Sequence, residues 1–157
     1  MHKISLCFIK VKRYTKNIDV FTMDKLFFPI NISNIHWTLA VIYIQKGEIH
    51  YHDSMSGKGK KYTEGLLHWL KDEHKRCKEG QALQGDWKLI DTDVPQQEND
   101  NDCGVFTIIN ADFISDDLPL EYSHKNMPFF RKKIGCDILR GSLNYPVDNL
   151  KYDLVLS

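Results

Sequence analysis

The segment from Ile35 to Asp53 constrains the fold of this chain most, because it has the pattern of a β-hairpin. Ile35 to Gln45 (IHWTLAVIYIQ) is rich in β-branched and aromatic residues, which indicates a central strand. Lys46-Gly47-Glu48 predicts a turn, and Glu48 to Asp53 (EIHYHD) predicts the returning strand. The start of the first strand is therefore expected to lie beside the end of the second.

The elements around the hairpin alternate between strands and helices. Leu26 to Ile30, which contains a proline, predicts a buried strand at the edge or end of a sheet. Lys61 to Lys78 carries leucines at helical spacing among charged residues, which predicts an amphipathic helix with Gly80 as its stop. Trp87 to Ile90 predicts a short strand, and the polar residues 91–102 predict a loop.

Two further segments predict helices in the C-terminal part of the chain. Cys103 to Ile114 (CGVFTIINADFI) is apolar nearly all round, which favours a buried helix and leaves a buried strand open as the alternative. Met127 to Leu143 predicts a last helix, capped by Asn126 and with Pro128 in its first turn. This order of strands and helices indicates an α+β fold.

Composition and charge exclude several classes of protein. The 157 residues have the length of one domain, and 21 basic residues balance 21 acidic ones, whereas nucleic-acid-binding proteins usually carry a positive excess. No apolar run approaches the roughly 20 residues of a membrane helix. The four apolar residues from Leu6 to Ile9 are too few for a signal-peptide core. We therefore expect neither nucleic acid nor a membrane as a partner.

The cysteines are interpreted as free thiols. They lie at long, irregular spacings without a C-x-x-C pair, at Cys7, Cys77, Cys103 and Cys136. This spacing matches neither a zinc site nor a redox motif, and a chain with an adequate core does not need disulfides. We expect a reducing, intracellular compartment, and neither a metal nor a cofactor.

Cys103 is the candidate nucleophile among these thiols. A polar loop leads to it at the predicted start of the apolar helix, where unpaired N–H groups and the helix dipole stabilise a thiolate. Gly104 beside it allows a substrate backbone to approach closely. The alternative is that Cys103 is a small buried core residue, the usual place of a free cysteine.

A nucleophilic cysteine needs a base, and the base needs a group that orients it. The predicted hairpin brings His36 next to Asp53, although the two are 17 residues apart in the sequence. Alternation along the second strand places Tyr51 and Asp53 on one face, and His50 and His52 on the other. The alternative is a strand-end histidine and a turn aspartate without a chemical role.

An acyl-transfer site also needs hydrogen-bond donors for the oxyanion that develops on the attacked carbonyl. Gln96 and Gln97 lie in the loop before Cys103, and a glutamine six residues upstream could reach the same carbonyl as the Cys103 N–H. By itself, a Gln-Gln pair in a polar loop is usually solvated.

Several motifs together resemble the SUMO-specific (sentrin/Ulp-type) family of cysteine proteases. The most specific is the nucleophile motif P-Q-Q-x-N-x-x-D-C-G, which residues 95–104 (PQQENDNDCG) match. The other matching segments follow in the family's order at 11–16 and 20–21 (VKRYTK, VF), 29–30 and 36–41 (PI, HWTLAV), 51–55 (YHDSM) and 127–133 (MPFFRKK). The resemblance spans residues 11–143 and keeps the order His, Asp, Cys.

This resemblance implies a papain-like fold, with a mostly antiparallel central sheet and a buried helix that begins at the nucleophile. It implies a thiol protease that cleaves after the C-terminal Gly-Gly of a ubiquitin-like modifier, in precursor maturation, in isopeptide deconjugation or in both. The P-Q-Q loop favours SUMO and its conjugates as partners, and we expect a monomer. Carried over position by position, the catalytic residues are Cys103 as nucleophile, His36 as base, Asp53 as its orienter and Gln97 as oxyanion donor.

Three further residues are expected to contact the substrate: Trp37, Gln96 and Gly104. The resemblance places Trp37 in the wall of the narrow channel for the Gly-Gly tail. The alternative for Trp37 is a core aromatic on the inner face of the sheet, and both can hold at once.

The N-terminus departs from the family pattern. Catalytic domains of the family generally carry more chain before the V-x-R-W-T segment, with a W-L-(N/D)-D motif that MHKISLCFIK lacks. We expect one catalytic domain over residues 1–157 with a truncated N-terminal lobe, in a minimal natural form, a fragment or a mis-started gene model. The alternative functions are a non-catalytic module that binds a ubiquitin-like modifier, an inactive fragment, or a protease for another such modifier. An intracellular location, nuclear and/or cytoplasmic, follows from the family and the free thiols.

Overall fold

Four strands form one sheet, in which their spatial order follows their order along the chain. The computed structural model describes residues 15–141, so the predictions for Cys7 and residues 11–14 lie outside the described residues. The strands are β1 (Lys25–Ile32), β2 (His36–Tyr43), β3 (Glu48–His52) and β4 (Lys88–Thr92). β1, β2 and β3 pair antiparallel and β4 pairs parallel to β3, which confirms the mostly antiparallel sheet.

The predicted hairpin is confirmed as the pair β2–β3, in which Leu39 lies opposite His52. The prediction for the two faces of β3 is also confirmed. Tyr51 stacks on Tyr62 at a ring-centroid distance of 5.8 Å, whereas His50 stacks on His52 at 6.2 Å. The two pairs lie on opposite faces because successive side chains of a strand alternate.

The described residues form three α-helices: α1 (Lys60–Cys77) and α2 (Cys103–Ser115) pack on the sheet, and α3 (Met127–Arg140) packs on α2. The apolar segment after residue 102 is therefore a helix, and the strand alternative is wrong. Gly80 ends α1 as predicted: its φ is +85°, and its N–H donates to the Lys75 carbonyl at 2.8 Å. α3 ends at Arg140, with Gly141 as its cap, and residues 142–143 of the predicted helix lie outside the described residues.

The start of α3 differs from the prediction. Pro128 lies in the first turn, but the side chain of Asn126 does not cap α3. Its Oδ1 instead accepts the Ser123 N–H at 2.9 Å and completes a capping box around the 3-10 turn His124–Asn126. The cap is shifted because this turn lies directly before the helix.

The apolar core lies on both faces of the sheet. On one face, Ile42 and Ile49 pack against Trp69 and Leu70 of α1. On the other face, Leu39 and Val41 pack against Ile114 of α2. A further buried cluster joins α2 to α3, at Val105, Phe106, Ile109, Phe113, Tyr122, Met127 and Phe130. α2 is thus covered by the sheet on one side and by α3 on another.

Within residues 15–141, no helix has the length and apolar character needed to cross a membrane.

Candidate active site

The end of the β2–β3 hairpin joins a histidine to a carboxylate. Extending the register of β2 and β3 places Asp53 opposite Thr38, two residues from His36 on the same face. The His36 Nε2 lies 2.8 Å from the Asp53 Oδ1, and these side chains are 15% and 4% exposed. The predicted pairing of the two residues across the hairpin is therefore observed.

Several neighbours hold the Asp53 carboxylate in place. Its Oδ1 also accepts the Met55 N–H at 2.8 Å, and the Tyr51 hydroxyl lies 3.4 Å from its Oδ2. Burial raises the pKa of Tyr51 to about 12, so this hydroxyl keeps its proton at neutral pH. At Gly57 an added Cβ would lie 2.3 Å from the Asp53 Oδ2, so only glycine permits this close approach.

The second ring nitrogen of His36 is the one that can accept a proton. His36 Nδ1 is buried and has no hydrogen-bond partner among the described residues. Because the carboxylate accepts a hydrogen bond from Nε2–H, it favours the tautomer in which Nδ1 carries the lone pair. A base with this orientation is what a nearby thiol nucleophile needs.

Cys103 is the first residue of α2, a free thiol with 6% of its surface exposed. The Cβ that Gly104 lacks would lie 3.8 Å from the Trp37 Cδ1, so the start of α2 lies against the start of β2. Cys103 and His36 directly precede these two residues in the sequence. No side chain of residues 15–141 caps α2, which leaves its first N–H groups to stabilise an anion.

Trp37 lies at the surface of this site. Its side chain is on the face of β2 opposite to His36, toward α2, and the residue is 42% exposed. Trp37 thus lies on the inner, α2 side of the sheet and is partly exposed as well. Contact of Trp37 or Gly104 with a substrate stays a prediction.

The two glutamines in the loop before the candidate nucleophile (residues 93–102, the nucleophile loop) point in different directions. The Gln97 N–H donates to the Ser54 carbonyl at 2.9 Å, its Oε1 accepts the Ser54 hydroxyl at 2.7 Å, and its Nε2 donates to the Asn99 carbonyl. The Gln96 Nε2 instead donates to the Asp53 carbonyl at 3.2 Å, and its Oε1 accepts the Ser56 hydroxyl at 2.7 Å. Gln96 thus ties the nucleophile loop to the loop after Asp53, and its contact with a substrate stays a prediction.

Sequence reasoning missed the ion pair that supports the nucleophile loop. Arg131 of α3 donates its Nε–H to the Asp102 Oδ1 at 2.9 Å, and its Nη2 donates to the same oxygen and to the Asn101 carbonyl. The Asn99 amide donates to the other Asp102 oxygen at 2.7 Å. Burial alone would raise the pKa of Asp102, but the hydrogen bonds from Asn99 and Arg131 outweigh it and hold the pKa below its ordinary value.

The sequence did contain a signal for this ion pair. Asp102 belongs to the matched nucleophile motif, and Arg131 belongs to the matched M-P-x-F-R segment. An acid directly before the candidate nucleophile and an arginine in a second motif are candidates for a contact, because a carboxylate that becomes buried needs a partner.

A metal centre has no support among residues 15–141, where no three His, Cys, Asp or Glu side chains come together in a suitable arrangement.

The chain is similar to proteins of one known family. The family model described as the Ulp1 protease family, C-terminal catalytic domain, matches residues 2–142. Human sentrin-specific protease 2 is 38% identical over 136 residues, which cover 85% of this chain and 23% of the relative. Ubiquitin-like-specific protease 1A of Arabidopsis thaliana is 37% identical over 118 residues, with 74% and 23% covered. The chain spans about a quarter of the length of these curated relatives.

Solved structures show the same fold. The C-terminal Ulp1 protease domain in complex with Smt3, the yeast ortholog of SUMO, matches with a TM-score of 0.72 and 31% identity, covering 85% of this chain and 61% of that one. The Ulp1-like SUMO protease catalytic domain of Chaetomium thermophilum matches with a TM-score of 0.77 and 28% identity, covering 92% and 57%. The α+β fold expected from the resemblance is therefore confirmed.

Proposed function

This chain belongs to the Ulp1 protease family, and we propose that it is a cysteine peptidase that cleaves after the C-terminal Gly-Gly of a ubiquitin-like modifier. The observation that carries the proposal is the 2.8 Å pair of His36 and Asp53 beside the start of the helix that begins with Cys103. SUMO is the proposed modifier. The relatives support it, since one is a sentrin-specific protease and another was solved in complex with Smt3.

The proposed first half-reaction forms a thioester. His36 Nδ1 takes the proton of the Cys103 thiol, and the thiolate attacks the carbonyl carbon of the modifier's last glycine. The negative charge that develops on the carbonyl oxygen is stabilised by the Cys103 N–H and by the Gln97 amide. The C–N bond then breaks, and the His36 imidazolium gives its proton to the leaving amine, an α-amine of a precursor or the ε-amine of a lysine.

The proposed second half-reaction returns the enzyme to its starting state. His36 takes a proton from a water molecule, and the resulting hydroxide attacks the thioester carbonyl. The C–S bond breaks and the thiolate of Cys103 regains its proton from His36. The carboxyl group formed on the modifier releases its own proton to solvent, so the modifier leaves with a C-terminal carboxylate. Asp53 keeps the ring of His36 in one orientation through both steps and stabilises its cationic form.

The surface around Cys103 supports an extended, narrow tail as the substrate. We assign one wall of its path to the exposed ring of Trp37 and the floor to Gly104, which has no side chain to obstruct a backbone. Two glycines are the tail that fits best between an indole and a helix start, because they add no side-chain volume.

We also propose an intracellular location, nuclear and/or cytoplasmic. The free thiols of Cys77, Cys103 and Cys136 support a reducing compartment. Fractionation of cells that express the tagged chain tests this location.

The proposal is tested by reaction with SUMO that carries a thiol-reactive group at its C-terminus, followed by intact-protein mass spectrometry. We expect one covalent adduct for the unsubstituted chain and none for Cys103→Ser. Cys136→Ser is the matched control, because this thiol is exposed and lies on α3 rather than on α2. It should leave the adduct unchanged.

A ubiquitin probe with the same reactive group measures specificity. An adduct with ubiquitin and not with SUMO would support a protease for another modifier. A folded chain that binds SUMO without forming an adduct would support the non-catalytic module and contradict the peptidase.

A further inference from the structure

Ser54 holds Gln97 through two hydrogen bonds, one to its side chain and one to its backbone. The residue is 3% exposed, its hydroxyl donates to the Gln97 Oε1 at 2.7 Å, and its carbonyl accepts the Gln97 N–H at 2.9 Å. Both ends of the Gln97 residue, backbone and side chain, are thus fixed to one buried neighbour. This neighbour directly follows Asp53 in the sequence.

The contacts determine which end of the Gln97 carboxamide faces which partner. The Asn99 carbonyl can only accept a hydrogen bond, so the NH2 group of Gln97 must be the end that faces it. The carbonyl oxygen of the amide therefore faces Ser54, and the Ser54 hydroxyl must donate. The Asn99 carbonyl excludes the flipped orientation of the amide, in which two oxygens would face each other, and the Ser54 hydroxyl holds the remaining amide oxygen in place.

The orientation leaves the NH2 group with a second N–H besides the one that Asn99 uses. In the proposed reaction, this second N–H is the one that Gln97 offers to the oxyanion. A hydrogen bond to the carbonyl oxygen of an amide also polarises the amide and strengthens its N–H groups as donors. Ser54 is thus suited both to aim the donor and to strengthen it.

We propose that Ser54 is a positioning residue for the oxyanion site and acts on the reaction only through Gln97. The inference rests on the proposed peptidase function. It assigns different tasks to two consecutive residues at the end of the hairpin: Asp53 orients the base, and Ser54 orients the oxyanion donor.

The test is a double-mutant cycle, with kcat and KM measured on SUMO carrying a fluorogenic amide at its C-terminus. Loss of an oxyanion donor typically lowers kcat about 10²–10³-fold, so Gln97→Ala is expected in that range. Ser54→Ala should lower kcat about 10-fold to 100-fold with KM nearly unchanged, because the donor stays present but is no longer fixed. In the Gln97→Ala background, Ser54→Ala should have no further effect on kcat.

A second pair of variants separates the hydroxyl from the packing of the buried site. Ser54→Thr and Ser54→Val have nearly the same shape and differ in the hydroxyl alone. Ser54→Thr should keep a higher kcat than Ser54→Val, while circular dichroism and the unfolding temperature remain alike for the two. This comparison remains decisive if Ser54→Ala fails to fold.

Two results would overturn the inference. One is an equal kcat for the Thr and Val variants, and the other is a Ser54→Ala effect of the same size with and without the Gln97 side chain. Absence of turnover by the unsubstituted chain would instead remove the proposed function, and this inference with it. Turnover combined with an additive cycle would remove the role of Ser54 alone.

Discussion

His52 is a buried residue whose protonation is unfavourable in the folded protein. It is 3% exposed, and neither of its ring nitrogens has a hydrogen-bond partner among the described residues. Burial, with a smaller contribution from the charge of His50, lowers the pKa of His52 from 6.5 to about 4. His52 is therefore neutral in the folded protein at neutral pH.

We predict that His52 makes the domain less stable in acid. The unfolded chain binds this proton near pH 6.5 and the folded protein only near pH 4, so the free energy of unfolding decreases as the pH falls through this window. The loss is negligible well above pH 6.5, and the free energy of unfolding falls by about 2 kcal/mol between pH 7.5 and pH 5. His52→Leu should remove that loss, as measured by urea unfolding at the two pH values.

The control for this prediction is His68→Gln, because the His68 side chain on α1 is 65% exposed. This variant should keep the pH dependence of the unsubstituted chain. An unchanged loss of stability in His52→Leu would show that other groups cause the acid sensitivity.

At the scale of elements, the limits of a strand or helix can be predicted from the sequence where its apolar residues repeat with a clear period. β2 and α1 begin and end within one or two residues of the predicted limits, because their apolar residues repeat with a clear period. The pairing of His36 with Asp53 follows from the same pattern, since the turn fixes the register of a hairpin.

Contacts that depend on packing between distant segments could not be predicted in this way. Asp102 and Arg131 are 29 residues apart, and they meet only because α3 packs beside the start of α2. Gln96 and Gln97 are identical neighbours in a loop without a period, so nothing local indicates that one amide faces Ser56 and the other Ser54.

The link between α3 and the nucleophile loop leads to a prediction about Arg131. Arg131→Met leaves the buried carboxylate of Asp102 without its cationic partner, which should lower the free energy of unfolding by about 1–3 kcal/mol. It should also lower kcat, because Asp102 directly precedes Cys103. Urea unfolding and turnover of the fluorogenic SUMO substrate measure the two effects.

A second substitution shows whether the effect of Arg131→Met comes from the unpaired charge of Asp102 or from lost packing of the arginine side chain. Asp102→Asn removes the charge, so the double variant Asp102→Asn/Arg131→Met should be more stable than Arg131→Met alone. Lys132→Met is the matched control on the exposed side of α3 and should change neither property. A double variant no more stable than Arg131→Met would refute the ion pair as the cause.

At the scale of the whole molecule, the candidate site depends on both layers of the core. His36 and Asp53 come from the end of the hairpin, and Cys103 comes from the helix packed on one face of the sheet. Leu70 lies in the cluster between α1 and the sheet, and Ile109 lies in the cluster between α2 and α3. The sheet connects the cluster around Leu70 with the cluster around Ile109. A substitution that weakens either cluster should therefore disturb the site only when the whole domain unfolds.

We therefore predict that Leu70→Ala and Ile109→Ala act alike, although they lie on opposite sides of the sheet. Both residues are fully buried, and each substitution should lower the free energy of unfolding by about 2–5 kcal/mol. Leu139→Ala, at a position that is 88% exposed, should have almost no effect. In each variant, turnover and the circular-dichroism signal should be lost at the same urea concentration, because a domain with one connected core unfolds in a single transition. If Ile109→Ala lost turnover at a lower urea concentration than its circular-dichroism signal, the layer of α2 and α3 would unfold separately, and Cys103 would leave the site before the sheet melts.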